Sequence, residues 1–492
     1  PLCEAVAVEN VASDRENGSV QCSGIGQKTL ERLEQANLFI VPLDEERRWY
    51  RYHHLFADLL RRRLHQIHPD WVPALHLRAS DWYEQHGFVD QAIEHALQSK
   101  DFHRAACLIE GVAESVWASG AHTKLRRWLD SLPRDIVRSR PVLCIVHAWS
   151  LFAAGEQDAA EQMAQAVEQV LDADAGHNTA PLRTEQEVQK LRGRLAVVRA
   201  YMAFFREDVP EIVRHARQAL EFLPESDANW RTTAAIALGD AYSFGGQITA
   251  ATEAQRKAFK ESKANGNIYM VLTSGLKLTV TLRLQGQLRQ AVDLCHQLVQ
   301  LSQESEMARS AVSGCLLVMW AELLTELNDV NRAGELGKQG IAMTEQSGDI
   351  AMQGWSSICY VRILFSLGDL DGAEAVIQKM AKVEQTLVVP PWVLNRLAAW
   401  QGRIWLEQGK LQTVVLWVQE RGLDAHDALN LQHEREHMVL ARLCIAQGRW
   451  DEATRLLERL RQAARAAGRI AVEIEILIVQ ALAWEAGGNT EK

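Results

Sequence analysis

One turn-and-helix phrase recurs through the second half of the chain, and its spacing constrains the fold more than any other feature of the 492 residues. GGQITAATEA (245–254), QGQLRQAVDL (285–294), LNDVNRAGEL (327–336), LGDLDGAEAV (367–376), QGKLQTVVLW (408–417) and QGRWDEATRL (447–456) carry Gly or Asn at 246, 286, 328, 368, 409 and 448. Every step holds close to a period of about 40 residues, a regular array. In each phrase Gly or Asn closes one helix in the left-handed conformation and an apolar residue two later staples the turn. A small residue five later lets the next helix approach closely: Ala251, Ala291, Ala333, Ala373 and Ala453, with Val414 as the exception. Upstream, apolar residues at helical spacing, such as Leu238 with Tyr242 and Trp320 with Leu324, mark a first helix. The unit is a helix pair.

This pattern resembles the tetratricopeptide repeat (TPR), lengthened by about six residues over the usual 34. Weaker copies stand earlier, AAGEQDAAEQ (153–162) and FREDVPEIVRHA (205–216), the second without the glycine. HGFVDQAIEHALQSKDFHRAACLIE (86–110) carries two such turns with only one short helix between them, helical but out of register. The expected fold is therefore all-α: a right-handed superhelix of TPR-like helix pairs from about residue 136 to 492. Repeats that touch only their neighbours bury a continuous core and leave a long concave face, which is a binding surface rather than a catalytic one.

If the first helix of each pair lines that face, equivalent positions form a row of Asp240, Val280, Glu322, Arg362, Arg403 and Arg442. A second inward position adds Trp355, Arg396 and Arg435. Two readings stay open. Exposed helix faces carry arginines anyway; alternatively, the row is a site for an anionic, sugar-like or acidic-peptide ligand, with arginine as a forked donor and Trp as a stacking platform. Of the fifteen tryptophans, Trp320, Trp417 and Trp450 fall on core positions of the repeat.

The net charge of −10, from 63 acidic and 53 basic residues, argues against nucleic-acid binding by the chain as a whole. The eight cysteines are scattered, never form CxxC and mostly lie in apolar helical pattern, which suits free core thiols in a reducing, cytoplasmic compartment. No apolar run approaches the length of about 20 residues that a membrane span needs. The chain opens on Pro1 without a signal-peptide pattern and reads as a piece of a longer or processed protein.

Catalytic motifs tempt and fail. HEREH (433–437) fits the HExxH pattern, yet it lies on a repeat helix where His437 is expected to pack against a neighbour. GIGQKT (24–29) has its lysine misplaced for a phosphate loop, and HQIHP (65–69) lacks further ligands. No catalytic residue and no metal site is expected, so an enzyme activity within this chain is not.

Before the array, QKTLERLEQA reads as a helix, NLFIVPL as a strand, DEER as a turn, RRWYRY as a strand and HHLFADLLRRRL as a helix, the order of a winged-helix module. The run ANLFIVPLDEERRWYRYHHLFADLLRRRL, followed by YEQHGFVDQAIEHAL, resembles the MalT-like, LuxR-type large ATP-dependent transcriptional regulators of the STAND class. The resemblance continues more weakly through TKLRRWLDSLPRDIVRSRPVLCIVHAWSLFAAG and the repeats. It implies an order of nucleotide-binding domain, winged helix, helical arm, superhelical sensor and C-terminal helix-turn-helix. This chain would hold the end of the winged helix (1–64), the arm (65–135) and the sensor (136–492). No Walker motif or helix-turn-helix is present, so ATP or ADP binding and DNA contact fall to neighbouring domains.

The resemblance also implies a nucleotide-sensing residue. In related nucleotide switches a Met-His-Asp motif places its histidine on the β-phosphate of ADP. The matching residues are Tyr52, His53 and His54, which makes His53 the candidate, with His54 departing from the aspartate. The implied function is control of a nucleotide switch by a small-molecule inducer, protein or peptide bound on the concave face, with the nucleotide-binding domain as an intramolecular partner and self-association of the full-length protein left open. The competing reading is a protein-binding scaffold of a signalling ATPase that is not a transcription factor.

Overall fold

The computed structural model describes residues 25–36, 38–45, 49–176 and 184–488. Cys3, Cys22 and part of the DEER turn lie outside them. The chain divides into two compact units, residues 1–114 with 127–143, and residues 115–126 with 144–492.

The first unit opens with α1 (Ile25–Gln35), which takes up most of GIGQKT, followed by a two-stranded antiparallel ribbon of β1 (Ile40–Pro42) and β2 (Tyr50–Tyr52) with Val41 opposite Arg51. Next come α2 (His54–Ile67), α3 (Trp71–Gln85) and α4 (Val89–Gln98). Between α3 and α4, and again after α4, the chain turns through Gly87 and Lys100, at φ +79° and +62°. These are the two closely spaced turns of the 86–110 segment. Both units draw on α5 (Phe102–Ala118), α6 (His122–Asp130) and α8 (Pro141–Ala153), while α7 (Arg134–Arg138) belongs to the first.

The second unit continues with α9 (Gln157–Gly176) and then pairs α10 (Glu185–Phe205) with α11 (Val209–Phe222), α12 (Ala228–Phe244) with α13 (Ile248–Asn265), and α14 (Ile268–Leu284) with α15 (Leu288–Gln303). The pairs α16 (Ala311–Glu326) and α17 (Val330–Glu345), α18 (Ile350–Ser366) and α19 (Leu370–Glu384), α20 (Pro391–Glu407) and α21 (Leu411–Glu420), and α22 (Glu434–Ala446) and α23 (Trp450–Ala466) follow, before a further first helix, α24 (Ile470–Ala486). This is the expected superhelix of TPR-like helix pairs.

The turns close as the sequence demands. Gly246, Gly286, Gly368, Gly409 and Gly448 sit at φ between +73° and +77°, and Asn328 at +63°. The next residue's N–H donates back across the turn each time, from Gln247 to Tyr242, Gln287 to Leu282, Asp329 to Leu324 and onward to Arg449 and Cys444, at 2.8–2.9 Å. That is the hydrogen-bond signature of a glycine-closed helix. The small positions Ala251, Ala291, Ala333, Ala373, Val414 and Ala453 are all 0% exposed. At the opposite end of the pairs, side-chain oxygens of Asn267, Ser310 and Asp349 accept from the N–H three residues on and cap α14, α16 and α18.

Turns of the superhelix also meet each other. A Cβ on Gly246 would come within 2.8 Å of Leu431, one on Gly286 within 3.0 Å of Ile470, and one on Gly155 within 3.0 Å of the Val388 carbonyl. The Thr123 hydroxyl donates to the Ser347 carbonyl at 3.1 Å, and Trp117 stacks on Trp230 at 3.8 Å. Repeats far apart in sequence thus press together. Cys144, Cys295, Cys315, Cys359 and Cys444 are buried free thiols, whereas Cys107 is exposed. Trp320 and Trp417 are core residues, but Trp450 corrects the expectation at 41% exposure. It begins α23 at the staple position, beside Gly487, and Leu411 at the equivalent position of the preceding repeat is likewise exposed.

Candidate binding site on the inner face

The structure brings most of the predicted inner row together and supplies acidic partners that the row did not contain. Arg362 on α18 donates to Glu322 on α16 at 2.8 Å and to Glu326 at 2.5 Å. Arg283, at the end of α14, faces the same two carboxylates at 3.4 and 3.5 Å. One superhelical layer further, Arg403 on α20 and Arg435 and Arg442 on α22 converge on a single carboxylate, Glu475 of α24. Arg435 donates to it at 2.5 Å, while Arg403 and Arg442 stop at 3.6 and 3.5 Å. The Arg403 guanidinium lies over the rings of Phe365 and Trp400 at 4.6 and 5.1 Å.

Three predicted residues stand apart. Asp240 pairs with Lys277 at 2.8 Å and accepts from Gln255. Arg396 lies over Trp392 at 5.4 Å, 3.9 Å from Glu207. Glu207 occupies the turn position that lacked a glycine and takes the left-handed conformation there, at φ +55°. Trp355 is half-buried and packs against two core clusters.

The cluster is tightly held yet wet. Side chains of Arg362, Arg396, Arg403, Arg435 and Arg442 keep between 20 and 41% exposure, and Glu475 keeps 29%. Burial raises the Glu475 carboxyl, but Arg435, Arg442 and Arg403 outweigh it and hold it down at about 2. Glu322 is likewise held at about 2, against burial, by Arg283 and Arg362. Burial and then Arg442 push Arg403 the other way, down to about 10, and burial lowers Arg442 and Arg396 as well. Arg362 and Arg435, which hold the nearest carboxylates, are raised instead, so the poorly compensated positive charge rests on Arg403 and Arg442, where an anion would be favoured.

Glu475 escapes a reading of the sequence because α24 lies beyond the last clear turn phrase. A signal exists all the same: Gly488 follows Gly448 by one full repeat and has φ +72°. Glu475 then stands in the same row as Trp355, Arg396 and Arg435.

The HEREH residues are engaged elsewhere. Glu434 pairs with Arg469, the His433 ring meets Glu436, Arg421 pairs with Glu436 at 2.8 Å, and His437 Nδ1 faces the His433 carbonyl at 3.0 Å. Among the described residues no group of three His, Cys, Asp or Glu could hold a metal ion. His53 stands exposed at the start of α2, its ring 4.4 Å from that of His54, and makes no side-chain cap. No described helix is long and apolar enough to cross a membrane.

A family model described as the MalT-like TPR region matches residues 193–492. The chain belongs to this MalT-like family. Models of the MalT winged helix domain and of a tetratricopeptide repeat match residues 2–72 and 141–166 of this MalT-like chain. Among curated relatives, the HTH-type transcriptional regulator MalT of Cronobacter sakazakii is 25% identical over 481 residues, covering 95% of this chain and 50% of its own length. That of Yersinia pestis is 24% identical over 461 residues, covering 89% and 48%. The chain thus spans about half the length of the relatives it matches. Among solved structures, a STAND protein with a tetratricopeptide repeat sensor from Pyrococcus horikoshii superimposes with a TM-score of 0.47 at 12% identity, over 86% of this chain and 64% of that one.

Proposed function

We propose that this chain is the sensor region of a MalT-like, LuxR-type ATP-dependent transcriptional regulator. An inducer or partner binds the inner face of the superhelix, and binding shifts the winged-helix module relative to a nucleotide-binding domain. The observation that carries the reading is the ensemble of water-accessible arginines on the first helices of successive pairs, held by carboxylates from other repeats. A ligand entering there trades protein ion pairs for its own and so favours one arrangement over another, the requirement for any ligand-driven switch. The chain's contribution is binding; ATP or ADP, and DNA, belong to domains beyond these residues.

His53 fits contact with an ADP phosphate. It stands at the N-terminus of a 14-residue helix whose first N–H groups receive no side-chain cap, and such an end favours an anion. When bound, the nucleotide supplies the switch's two chemical states. His53 would hold the state in which its ring donates to phosphate.

A thermal-shift ligand screen on the chain tests the sensor reading, because a ligand that binds only the folded form raises the melting temperature. Hits should be lost in Arg403→Ala and Arg442→Ala; hits that survive both unchanged would sink the inner-face site. In the full-length protein His53→Ala should loosen ADP and raise basal activity, and unchanged nucleotide retention would leave His53 a structural residue.

A further inference from the structure

We propose that the arginines around Glu475 form a binding site for a small dianion of the phosphate-monoester type, with Glu475 as a built-in stand-in that the ligand displaces. The inference rests on the sensor reading above and narrows its ligand.

Charge comes first. Five guanidiniums, of Arg283, Arg362, Arg403, Arg435 and Arg442, face three carboxylates, of Glu322, Glu326 and Glu475. Two positive charges are left over, and they are not evenly spread. Arg283 and Arg362 share two carboxylates and balance; Arg403, Arg435 and Arg442 share one. With Glu475 swung out, three positive charges face the entering ligand; a phosphate dianion meets two of them where the carboxylate met one, whereas a neutral sugar meets none.

Geometry points the same way. A carboxylate has two oxygens, and Glu475 forms one close contact, 2.5 Å to Arg435, with the other two guanidiniums waiting at 3.5 and 3.6 Å. The three terminal oxygens of a phosphate monoester can take one guanidinium each. The rings of Phe365 and Trp400 under Arg403 fix its plane while the carboxylate comes and goes. Because water already reaches the cluster, entry displaces solvent instead of opening a dry core. Once Glu475 swings out, α24 loses a tie to α20 and α22, which couples occupancy to the position of that helix.

Equilibrium dialysis of the 492-residue chain against radiolabelled inorganic phosphate, at pH 7.5 and fixed ionic strength, tests this. One phosphate per chain is expected. Arg403→Gln and Arg442→Gln, each checked for folding by circular dichroism, should weaken binding at least about tenfold, and Glu475→Gln, which removes the competitor and adds a third surplus charge, should tighten it about tenfold. Equal affinity in wild type and in either folded arginine variant overturns the proposal, as does a Glu475→Gln variant that binds no tighter. Absence of phosphate binding to all four forms overturns it too. Should an uncharged hit from the thermal-shift screen still depend on Arg403 in that case, the anion site falls and the sensor reading stands.

Discussion

Removing an acid and removing a base from one ion-pair cluster should have opposite effects on stability here. Glu475 has its carboxyl at about 2 against an ordinary 4.5. A difference of about 2.5 in pKa is worth about 3 kcal/mol in favour of the folded state at neutral pH. Glu475→Gln keeps the shape and forfeits that term. With a urea slope of about 3 kcal/mol per M, its midpoint should fall by about 1 M. The sign with pH follows from a depressed carboxyl: the stabilisation is complete above 4.5 and disappears as pH falls towards 2, so wild type and variant should converge in acid. Arg403 stands at about 10 against an ordinary 12.5, which is about 3 kcal/mol of cost, from burial first and the neighbouring arginines second, carried by the folded state. Arg403→Gln releases this and gives up contact with Phe365 and Trp400, worth about 1–2 kcal/mol. Its net effect should lie between neutral and about 2 kcal/mol stabilising. Urea titrations followed by tryptophan fluorescence at pH 7 and pH 3 decide the matter. If both substitutions destabilise by similar amounts, the cluster is an ordinary balanced salt-bridge network and the surplus-charge argument is wrong.

Four further substitutions probe the frame around the site. Glu207→Gly removes left-handed strain of about 1 kcal/mol and gives up only a 3.9 Å approach to Arg396, so it should stabilise slightly in urea; a loss above about 1 kcal/mol would mean that the Glu207–Arg396 pair holds the turn. Gly409→Ala, with φ +73° and open space around its Cβ, should cost about 1 kcal/mol, and Gly246→Ala should cost more because its Cβ also meets Leu431; equal losses would show that the turn-to-turn contact yields freely. Asp349 caps α18 while burial raises its carboxyl to about 6, and Asn caps equally well without the charge. Asp349→Asn should therefore stabilise by up to about 3 kcal/mol at pH 7.5. The gain should shrink as pH falls below 6 towards 3.8, because the wild-type folded state takes up its proton before the unfolded chain does. A gain that persists at pH 4 would contradict the assignment.

What was legible in the sequence is what a single repeat must do by itself. Gly246, Gly286, Asn328, Gly368, Gly409 and Gly448 announce their turns because only a few residue types take φ above zero cheaply, and Ala251 and its counterparts announce close helix contact because nothing larger fits. The inner row could be read for the same reason, since a fixed period puts Arg362, Arg403 and Arg442 on one face. Its partners could not. Which carboxylate meets which guanidinium depends on how far the superhelix winds, and that is set by contacts such as Gly286 with Ile470, several repeats apart, that no local pattern encodes. Glu326 lies one turn of helix from the row, and Glu475 belongs to a helix whose repeat signal is the single glycine at 488. Trp450 failed differently: helical phase gives a direction, not a neighbour, and the tryptophan's surroundings come from adjoining repeats.

The placement of charge inside the superhelix argues for a movable interior. Apolar residues of similar volume at Arg403, Arg435, Arg442 and Glu475 would serve stability as well or better, since burying ions costs about as much as pairing them returns. An apolar interior would also fix the spacing between repeats through dense packing, which has no second arrangement of similar energy. Charges reached by water behave otherwise: a guanidinium that leaves one carboxylate can be met by solvent or by a ligand, so the cost of shifting one repeat against the next stays low. The repeats therefore keep a dry, rigid core between the helices of each pair, where Ala251, Ala291, Ala333 and Ala373 are wholly buried, and a wet, exchangeable lattice along the inner face. A sensor needs both, because rigid pairs carry a displacement along the array while the exchangeable lattice lets a ligand set it.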